Sequence, residues 1–129
     1  MEHRALPLEL VAGSYAVCRL AASDPLPAWA GEGPFVSVTR TDAELSVVCP
    51  QEAVPAAVVA EPGWRCLRVV GPLGFGMTGV LASLSGPLAS SGVSIFVVST
   101  YDTDYLMVQE RDLDRTVDAL TRAGHHVER

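Results

Sequence analysis

The most suggestive chemistry in the sequence lies in residues 74–79, which read GFGMTG and so follow the pattern G-x-G-x-x-G. The apolar stretch WRCLRVV precedes this segment, and a helix is predicted after it. Asp102 follows the next apolar stretch, VSIFVVST. A dinucleotide-binding unit has a strand, a glycine loop of this pattern, a helix and an acidic residue about 20 positions further on. The spacing therefore raises the hypothesis of an NAD site.

Three features of the surrounding sequence count against a dinucleotide site. The stretch VSIFVVST turns back through residues 102–104 into YLMVQE, and so short a turn can only join antiparallel strands. Only 27 residues follow Asp102, which is too few to complete two mononucleotide-binding halves. Pro72 and Leu73 also lengthen a turn that should be tight. The sequence therefore argues against the dinucleotide function.

The same glycine segment is suited to binding a small anion. A helix predicted to begin near Thr78 has unpaired amide groups at its start, where the helix dipole is positive. Glycines at 74, 76 and 79 let a ligand approach the backbone closely, and a carboxylate fits such a site as well as a phosphate does. Ser99, Thr100 and Asp102 add hydroxyl groups and a carboxylate at the end of the next predicted strand. Anion donors beside an acidic acceptor indicate a receptor for a zwitterion, such as a free amino acid.

Hydrophobic periodicity in the second half of the chain predicts the order β-α-β-β-α-β. Apolar residues recur at three- and four-residue steps after Thr78, and Pro87 is expected to kink this helix or to end its regular hydrogen bonding near Ser83. This order makes a ferredoxin-like fold, a four-stranded antiparallel sheet with two helices on one face. The predicted elements are a strand at 64–71, a helix from about 78, strands at 93–100 and 105–110, a helix after 112 and the short strand HHVE.

The first half of the chain repeats this plan in degraded form. Strands are predicted at 14–20, 35–41 and 44–49, whereas ASDPLPAWAGEG is too rich in proline for more than a turn or two of helix. The segments VTRTDAELSVV and VSTYDTDYLMV are similar enough to indicate an internal repeat. The fold class is therefore predicted as α+β, with a degenerate N-terminal unit at 1–63 and a C-terminal unit at 64–129.

The stretch GPLGFGMTGVLASLSGPLASSGVSIFVVSTYDTDYLMV resembles the ACT domain. The resemblance is to the branch that contains small tandem-ACT bacterial proteins, the eukaryotic cytosolic arginine sensor and the regulatory region of aspartate kinase. Its first loop typically runs Phe-Asp-x-Thr-Gly, and a later segment runs Ile-Ser-Thr-Tyr-x-Thr-Asp-Tyr. The matching residues are Phe75, Thr78, Gly79, Ser99, Thr100, Tyr101, Thr103, Asp104 and Tyr105. The resemblance implies two ferredoxin-like units packed side by side, and a homodimer built from them.

The resemblance also implies a ligand site formed by the glycine loop and the turn beyond the next strand. The candidate ligand-binding residues are Gly74, Phe75, Gly76, Met77, Thr78, Gly79, Ser99, Thr100, Tyr101, Asp102 and Asp104. Gly76 stands where the family usually has an acidic residue, which leaves Asp102 and Asp104 as candidate receptors for a ligand's ammonium group. The alternative is structural, because glycines can simply shape a strand-to-helix turn and Asp and Thr are ordinary turn formers. Tyr101 is equally compatible with the core, an interface or a lid.

Composition excludes several other classes of protein. The chain has 129 residues, 49% of them hydrophobic and 19% charged, which is typical of a globular protein. A net charge of −6 argues against a nucleic-acid partner, and no apolar run is long enough to span a membrane. The opening residues lack the apolar core of a signal peptide, so a cytoplasmic location is expected.

No residues in the sequence form a recognisable catalytic or metal-binding set. The three cysteines are widely spaced and are expected to be buried, reduced thiols. The adjacent His125 and His126 should point to opposite faces of a strand, which suits metal chelation poorly. We therefore expect no enzymatic activity, no cofactor and no metal.

Two functions remain open on the sequence alone. The first is a regulatory sensor that binds a free amino acid between repeats or protomers, with that amino acid as its small-molecule partner. The second is an interaction module in which ACT units pair through their sheet edges and bind no ligand.

Overall fold

The computed structural model describes residues 5–73 and 78–129, which form two compact units. The N-terminal unit is Val11–Trp64, and the C-terminal unit combines the described residues up to Leu10 with Arg65–Arg129. Two strands, β1 (Pro7–Leu20) and β4 (Val59–Val69), contribute residues to both units. The described residues up to Leu10 thus belong with the C-terminal unit, which the sequence did not indicate.

The C-terminal unit has the predicted order of elements. After β4 come α1 (Val80–Ser90), β5 (Ile95–Ser99), β6 (Asp104–Gln109), α2 (Leu113–Arg122) and β7 (His126–Glu128). The strands β5 and β6 pair antiparallel, from Ile95 opposite Val108 to Ser99 opposite Asp104. Together with β4, these elements give the β-α-β-β-α-β order expected from the hydrophobic pattern.

The sheet of the C-terminal unit departs from the expected four strands because β1 adds a fifth. Its strand order is β7-β1-β4-β6-β5. The start of β1 pairs in parallel with β7, with Pro7 opposite His126, and the Val70 amide donates to the Pro7 carbonyl at 2.9 Å. Arg68 of β4 also forms a 2.6 Å ion pair with Glu9 of β1. The first residues of the chain therefore separate the first and last strands of the predicted ferredoxin-like unit.

The inserted strand is held by its apolar side chains. Leu6 and Leu8 are buried and Leu10 packs against the same cluster, as the alternation of a strand with one buried face requires. Leu84 and Leu88 of α1, Leu120 of α2, and residues of β4 and β6 complete this core. Both helices therefore cover one face of the sheet. The alternating leucines are the sequence signal that could have revealed this strand.

The helix α1 continues through Pro87 to Ser90, and its regular hydrogen bonding is interrupted at Ser83, as the position of Pro87 predicted. Proline has no amide hydrogen, which leaves the Ser83 carbonyl without its usual donor four residues later. The ring Nε2 of buried His125 donates to this carbonyl at 2.9 Å, and its Nδ1 accepts from the Leu6 amide at 3.1 Å. The two bonds fix the Nε2-protonated tautomer. His125 therefore joins α1 to the inserted strand and is a structural residue.

The N-terminal unit contains β2 (Ser37–Arg40) and β3 (Leu45–Pro50) beside β1 and β4, in the order β2-β3-β1-β4. The strands β1 and β3 pair antiparallel from Tyr15 opposite Pro50 to Leu20 opposite Leu45. Short 3₁₀ turns at Ala28–Ala30 and Gln51–Ala53 stand where the C-terminal unit has helices. The prolines on either side of the first turn account for its brevity.

A separate core fills the N-terminal unit, with Cys18 and Cys49 among its buried residues. Burial and, to a smaller extent, the neighbouring Cys18 thiol together raise the pKa of Cys49 to about 11. In the C-terminal unit, burial alone raises the pKa of Cys66 to about 12. Because the thiolate is the reactive form, these protonated thiols fit the expectation of buried, reduced cysteines.

We expect His125→Ala to lower the free energy of unfolding by about 3 kcal/mol, because it leaves a buried amide and a partly buried carbonyl unpaired and opens a cavity. Urea unfolding followed by circular dichroism measures the change. His126→Ala is the matched control, since that side chain is 77% exposed and its loss should cost less than about 0.5 kcal/mol. Equal losses in the two variants would contradict the bridging role of His125.

Candidate functional site

The predicted ligand site falls partly within the described structure. Gly74, Phe75, Gly76 and Met77 lie outside the described residues. Thr78 and Gly79 are exposed and immediately precede α1. Gly79 has a φ of +76°, and a Cβ added there would meet no atom of residues 5–73 and 78–129 within 4 Å. Within the described residues, the space on the Cβ side of Gly79 is therefore open.

The start of α1 carries the amide groups that the anion-binding hypothesis requires. The Ser83 amide donates to the Gly79 carbonyl at 2.9 Å, which closes the first helical turn. Among the described residues, no side chain caps this end of the helix. The amides before Ser83 point out of the turn, where the helix dipole favours negative charge. The local geometry thus suits a carboxylate.

Hydrogen bonds within the turn from Ser99 to Asp104 organise the second part of the predicted site. The Thr100 amide donates to the Thr103 carbonyl at 2.8 Å, and the Thr103 amide donates to the Thr100 hydroxyl at 3.3 Å. Ser99 Oγ donates to Asp104 Oδ1 at 2.6 Å. Thr100 and Asp104 therefore help to shape the hairpin, as the structural alternative anticipated. Asp104 Oδ1 is already engaged by Ser99.

The turn packs directly against the segment that leads from β4 into the glycine loop. The Leu73 amide donates to the Asp102 carbonyl at 2.7 Å. Thr103 is only 4% exposed, and its hydroxyl donates to the Val69 carbonyl at 2.6 Å. A side chain added at Gly71 would lie 3.1 Å from both the Asp102 carbonyl and Thr103 Cβ. These contacts hold the turn against the end of β4 and against Leu73, which precedes the glycine loop in the sequence.

Two residues outside the predicted set, Gly71 and Thr103, make this approach possible. Gly71 has no side chain to keep the turn away, and Thr103 ties the turn to β4. The glycine before Pro72 was a usable signal for a close approach of two backbones. By contrast, the Asp102 and Tyr101 side chains are exposed, Tyr101 to 81%.

The described residues offer no assembly for metal catalysis. Within 5–73 and 78–129, no group of three His, Cys, Asp or Glu side chains could hold a metal ion. In the same part of the chain, no helix has the length and apolar character needed to cross a bilayer. The described part of the predicted site has backbone amides at the start of α1 and, in the turn beyond β5, the exposed residues Ser99, Thr100 and Asp102.

Comparison with known families and proteins agrees with the division into units. The family model described as the ACT domain matches residues 59–122, and a second model, for an N-terminal domain, matches residues 13–57. The rat protein named cytosolic arginine sensor for mTORC1 subunit 1 is 35% identical over 89 residues, which cover 68% of this chain and 26% of that protein. The chain thus spans about a quarter of this curated relative.

Two solved structures with the same fold match a larger share of this chain than the rat protein does. A crystal structure of an Agobacterium tumefaciens protein is 47% identical, with a TM-score of 0.91, covering 96% of this chain and 92% of that one. The regulatory subunit of aspartate kinase from Thermus thermophilus is 13% identical, with a TM-score of 0.64, covering 93% and 99% of the two chains. The latter likeness concerns the fold alone.

We expect Thr103→Val to lower the free energy of unfolding by about 1–2 kcal/mol, because valine keeps the shape but leaves the Val69 carbonyl without its donor. Urea unfolding provides the measurement. Thr121→Val, at an exposed position of α2, is the control and should change stability by less than about 0.5 kcal/mol. A Thr103→Val variant as stable as the control would show that the hydroxyl does not anchor the turn.

Proposed function

Since the chain belongs to the ACT domain family, we propose that it is a regulatory protein that binds a free amino acid beside the glycine loop. The binding residues would come from Gly74–Gly79 and from Ser99–Asp104, the segments assigned from the sequence. The observation that carries the proposal is the 2.7 Å hydrogen bond from the Leu73 amide to the Asp102 carbonyl. It supports the proposal because it joins the acidic turn to Leu73, the residue that precedes the glycine loop in the sequence.

The carboxylate of the ligand would lie against the backbone at Thr78 and Gly79. Amides at a helix start donate to anions, and the helix dipole adds to the attraction. No atom of the described residues lies within 4 Å of a Cβ added at Gly79, which supports this assignment, since a ligand atom could reach the backbone there. Glycine serves the site in two ways, through its positive φ and through its lack of a side chain.

The ammonium group of the ligand would face Asp102. Asp102 is exposed, and its backbone is fixed by the bond from Leu73. Asp104 is the weaker candidate, because Ser99 already donates to its Oδ1. In this assignment, Asp102 supplies the acidic side chain that is missing at Gly76, where the family usually has an acidic residue. The acidic group would come from the turn rather than from the glycine loop.

Regulation would follow from a difference in affinity between two states of the protein, since a ligand shifts an equilibrium only when it favours one state. The rat relative is named as a cytosolic sensor of arginine, which supports a sensing role, a cytoplasmic location and action without catalysis.

We also propose a homodimer. The strands β5 and β2 are each at one end of the strand order, and exposed edges of this kind are commonly paired or covered.

A ligand-free interaction module is the second candidate, and the exposure of Tyr101 next to the edge strand β5 favours it. A thermal-shift screen of the full chain against the twenty free amino acids separates the two functions. An amino acid at about 100 times its dissociation constant should stabilise the protein by roughly 2.7 kcal/mol. A flat profile up to millimolar concentrations would rule out the sensor and leave the interaction module.

For the ligand found in that screen, we expect Gly79→Asp to abolish binding, because the new carboxylate repels that of the ligand at the helix start. Gly79→Asn is the matched control, since it has the same size and adopts the same φ of +76°, which Asn and Asp tolerate best among residues with side chains. Isothermal titration calorimetry compares the two variants. Equal affinity in both would place the carboxylate of the ligand elsewhere.

A further inference from the structure

A cavity of about 580 Å³ lies within the N-terminal unit, away from the residues discussed above. Its walls include Tyr15 of β1, Trp29 of the first 3₁₀ turn and Glu52 of the second. The C-terminal unit has full helices in the corresponding positions along its chain, whereas the N-terminal unit has three-residue turns. The short turns leave space over the strands. Small-molecule sites are typically about 300–1,000 Å³, so the cavity has the size of a ligand site.

One wall of the cavity is fixed by packing. Tyr15 is fully buried, its hydroxyl donates to the Ala12 carbonyl at 2.7 Å, and its ring meets Phe35 edge-to-face at 6.0 Å. Gly33 approaches Pro50 so closely that an added Cβ would lie 2.5 Å from the proline ring. A wall held in this way does not have to be ordered when a ligand binds, which lowers the cost of binding.

The charged residues that line the cavity are both acidic. Glu32 and Glu52 both line the cavity, and no basic residue does so. The N-terminal unit has only two basic residues, Arg19 and Arg40. Arg19 donates to the Ala43 carbonyl at 3.1 Å, and Arg40 donates to the Asp24 carbonyl at 2.9 Å. Neither arginine is therefore placed to neutralise the carboxylates of the cavity.

The remaining lining residues suit an apolar body attached to a cation. Trp29 offers an indole ring, the best aromatic partner for a cation. Pro34 and Pro50 add apolar surface without donating hydrogen bonds from their amides. A ligand with a carboxylate would bring that charge beside Glu32 and Glu52, where like charges repel. The lining thus discriminates between amines and amino acids.

We propose that this cavity is a second binding site, specific for a small organic amine that has an apolar body and no carboxylate. The ammonium group lies between the Glu32 and Glu52 side chains, and the apolar body contacts Trp29 and the two prolines. This site is independent of the one beside the glycine loop, and it selects against free amino acids.

Calorimetric titration of the full chain with three probes of similar size tests the proposal. 2-Phenylethylamine is the cation, 2-phenylethanol the neutral analogue and phenylacetate the anion. We expect the amine to bind most tightly and phenylacetate most weakly. In a Trp64→Phe variant, which keeps Trp29 as the sole tryptophan, the amine should also change the tryptophan fluorescence. Phenylacetate binding as tightly as the amine, or no binding of the amine at millimolar concentrations, would refute the proposal.

Charge-removing variants then test the assigned residues. The double change Glu32→Gln with Glu52→Gln should weaken amine binding roughly fivefold, since exposed ion pairs contribute modestly, and should leave 2-phenylethanol binding unchanged. Glu44→Gln removes a charge from the same unit outside the cavity and should have no effect. Equal weakening by Glu44→Gln would mean that the net charge of the unit, rather than the cavity, attracts the amine.

Gly79→Asp separates the two proposed sites. It should leave amine binding unchanged even where it abolishes the binding of an amino acid, so the failure of one site is distinguishable from the failure of the other. Loss of amine binding in Gly79→Asp would show that the amine occupies the glycine-loop region and would overturn the cavity assignment.

Discussion

The C-terminal unit depends on the two hydrogen bonds of the buried His125 ring. Pro87 leaves the Ser83 carbonyl of α1 without a donor, and His125 Nε2 supplies it. The other ring nitrogen accepts from the Leu6 amide, at the start of the strand that lies between β7 and β4. Leaving a buried amide unpaired costs more free energy than one hydrogen bond contributes. The hydrogen-bonding needs of the Leu6 amide and the Ser83 carbonyl therefore hold α1, the start of β1 and the segment at His125 together. The position of α1, and hence of the backbone at Gly79, follows from this arrangement.

The same constraint shapes the region where we place the amino-acid ligand. The turn beyond β5 is held against the end of β4 by the hydroxyl of Thr103 and by the absence of a side chain at Gly71. Thr103 is buried and Gly71 has no side chain to offer a ligand, yet both help to decide where Asp102 lies. Residues that position a site can thus differ from those that contact a ligand, and local sequence gives few signs of them.

The two units have similar arrangements of strands but different structures over those strands. The C-terminal unit has long helices, and their apolar faces fill its core with residues such as Leu84 and Leu120. The N-terminal unit has 3₁₀ turns in place of helices, a small core that includes Cys18 and Cys49, and a cavity beside the turns. Loss of a helix removes buried apolar surface, but it also makes room for a ligand. The cavity over the strands is the clearest example in this chain.

The sequence by itself determined the order of the elements and the family. Periodicities of two and of about three and a half residues are local, so the strands and helices after residue 64 and the hairpin at 35–49 could be predicted from the residues alone. The tertiary structure decided which distant segments pair. Leu6 and His125 are 119 positions apart, and their contact is stabilised by a core assembled from the whole unit. The bond between Ser99 and Asp104, the role of Gly71 and the cavity beside Trp29 likewise depend on packing, which no short window of sequence contains.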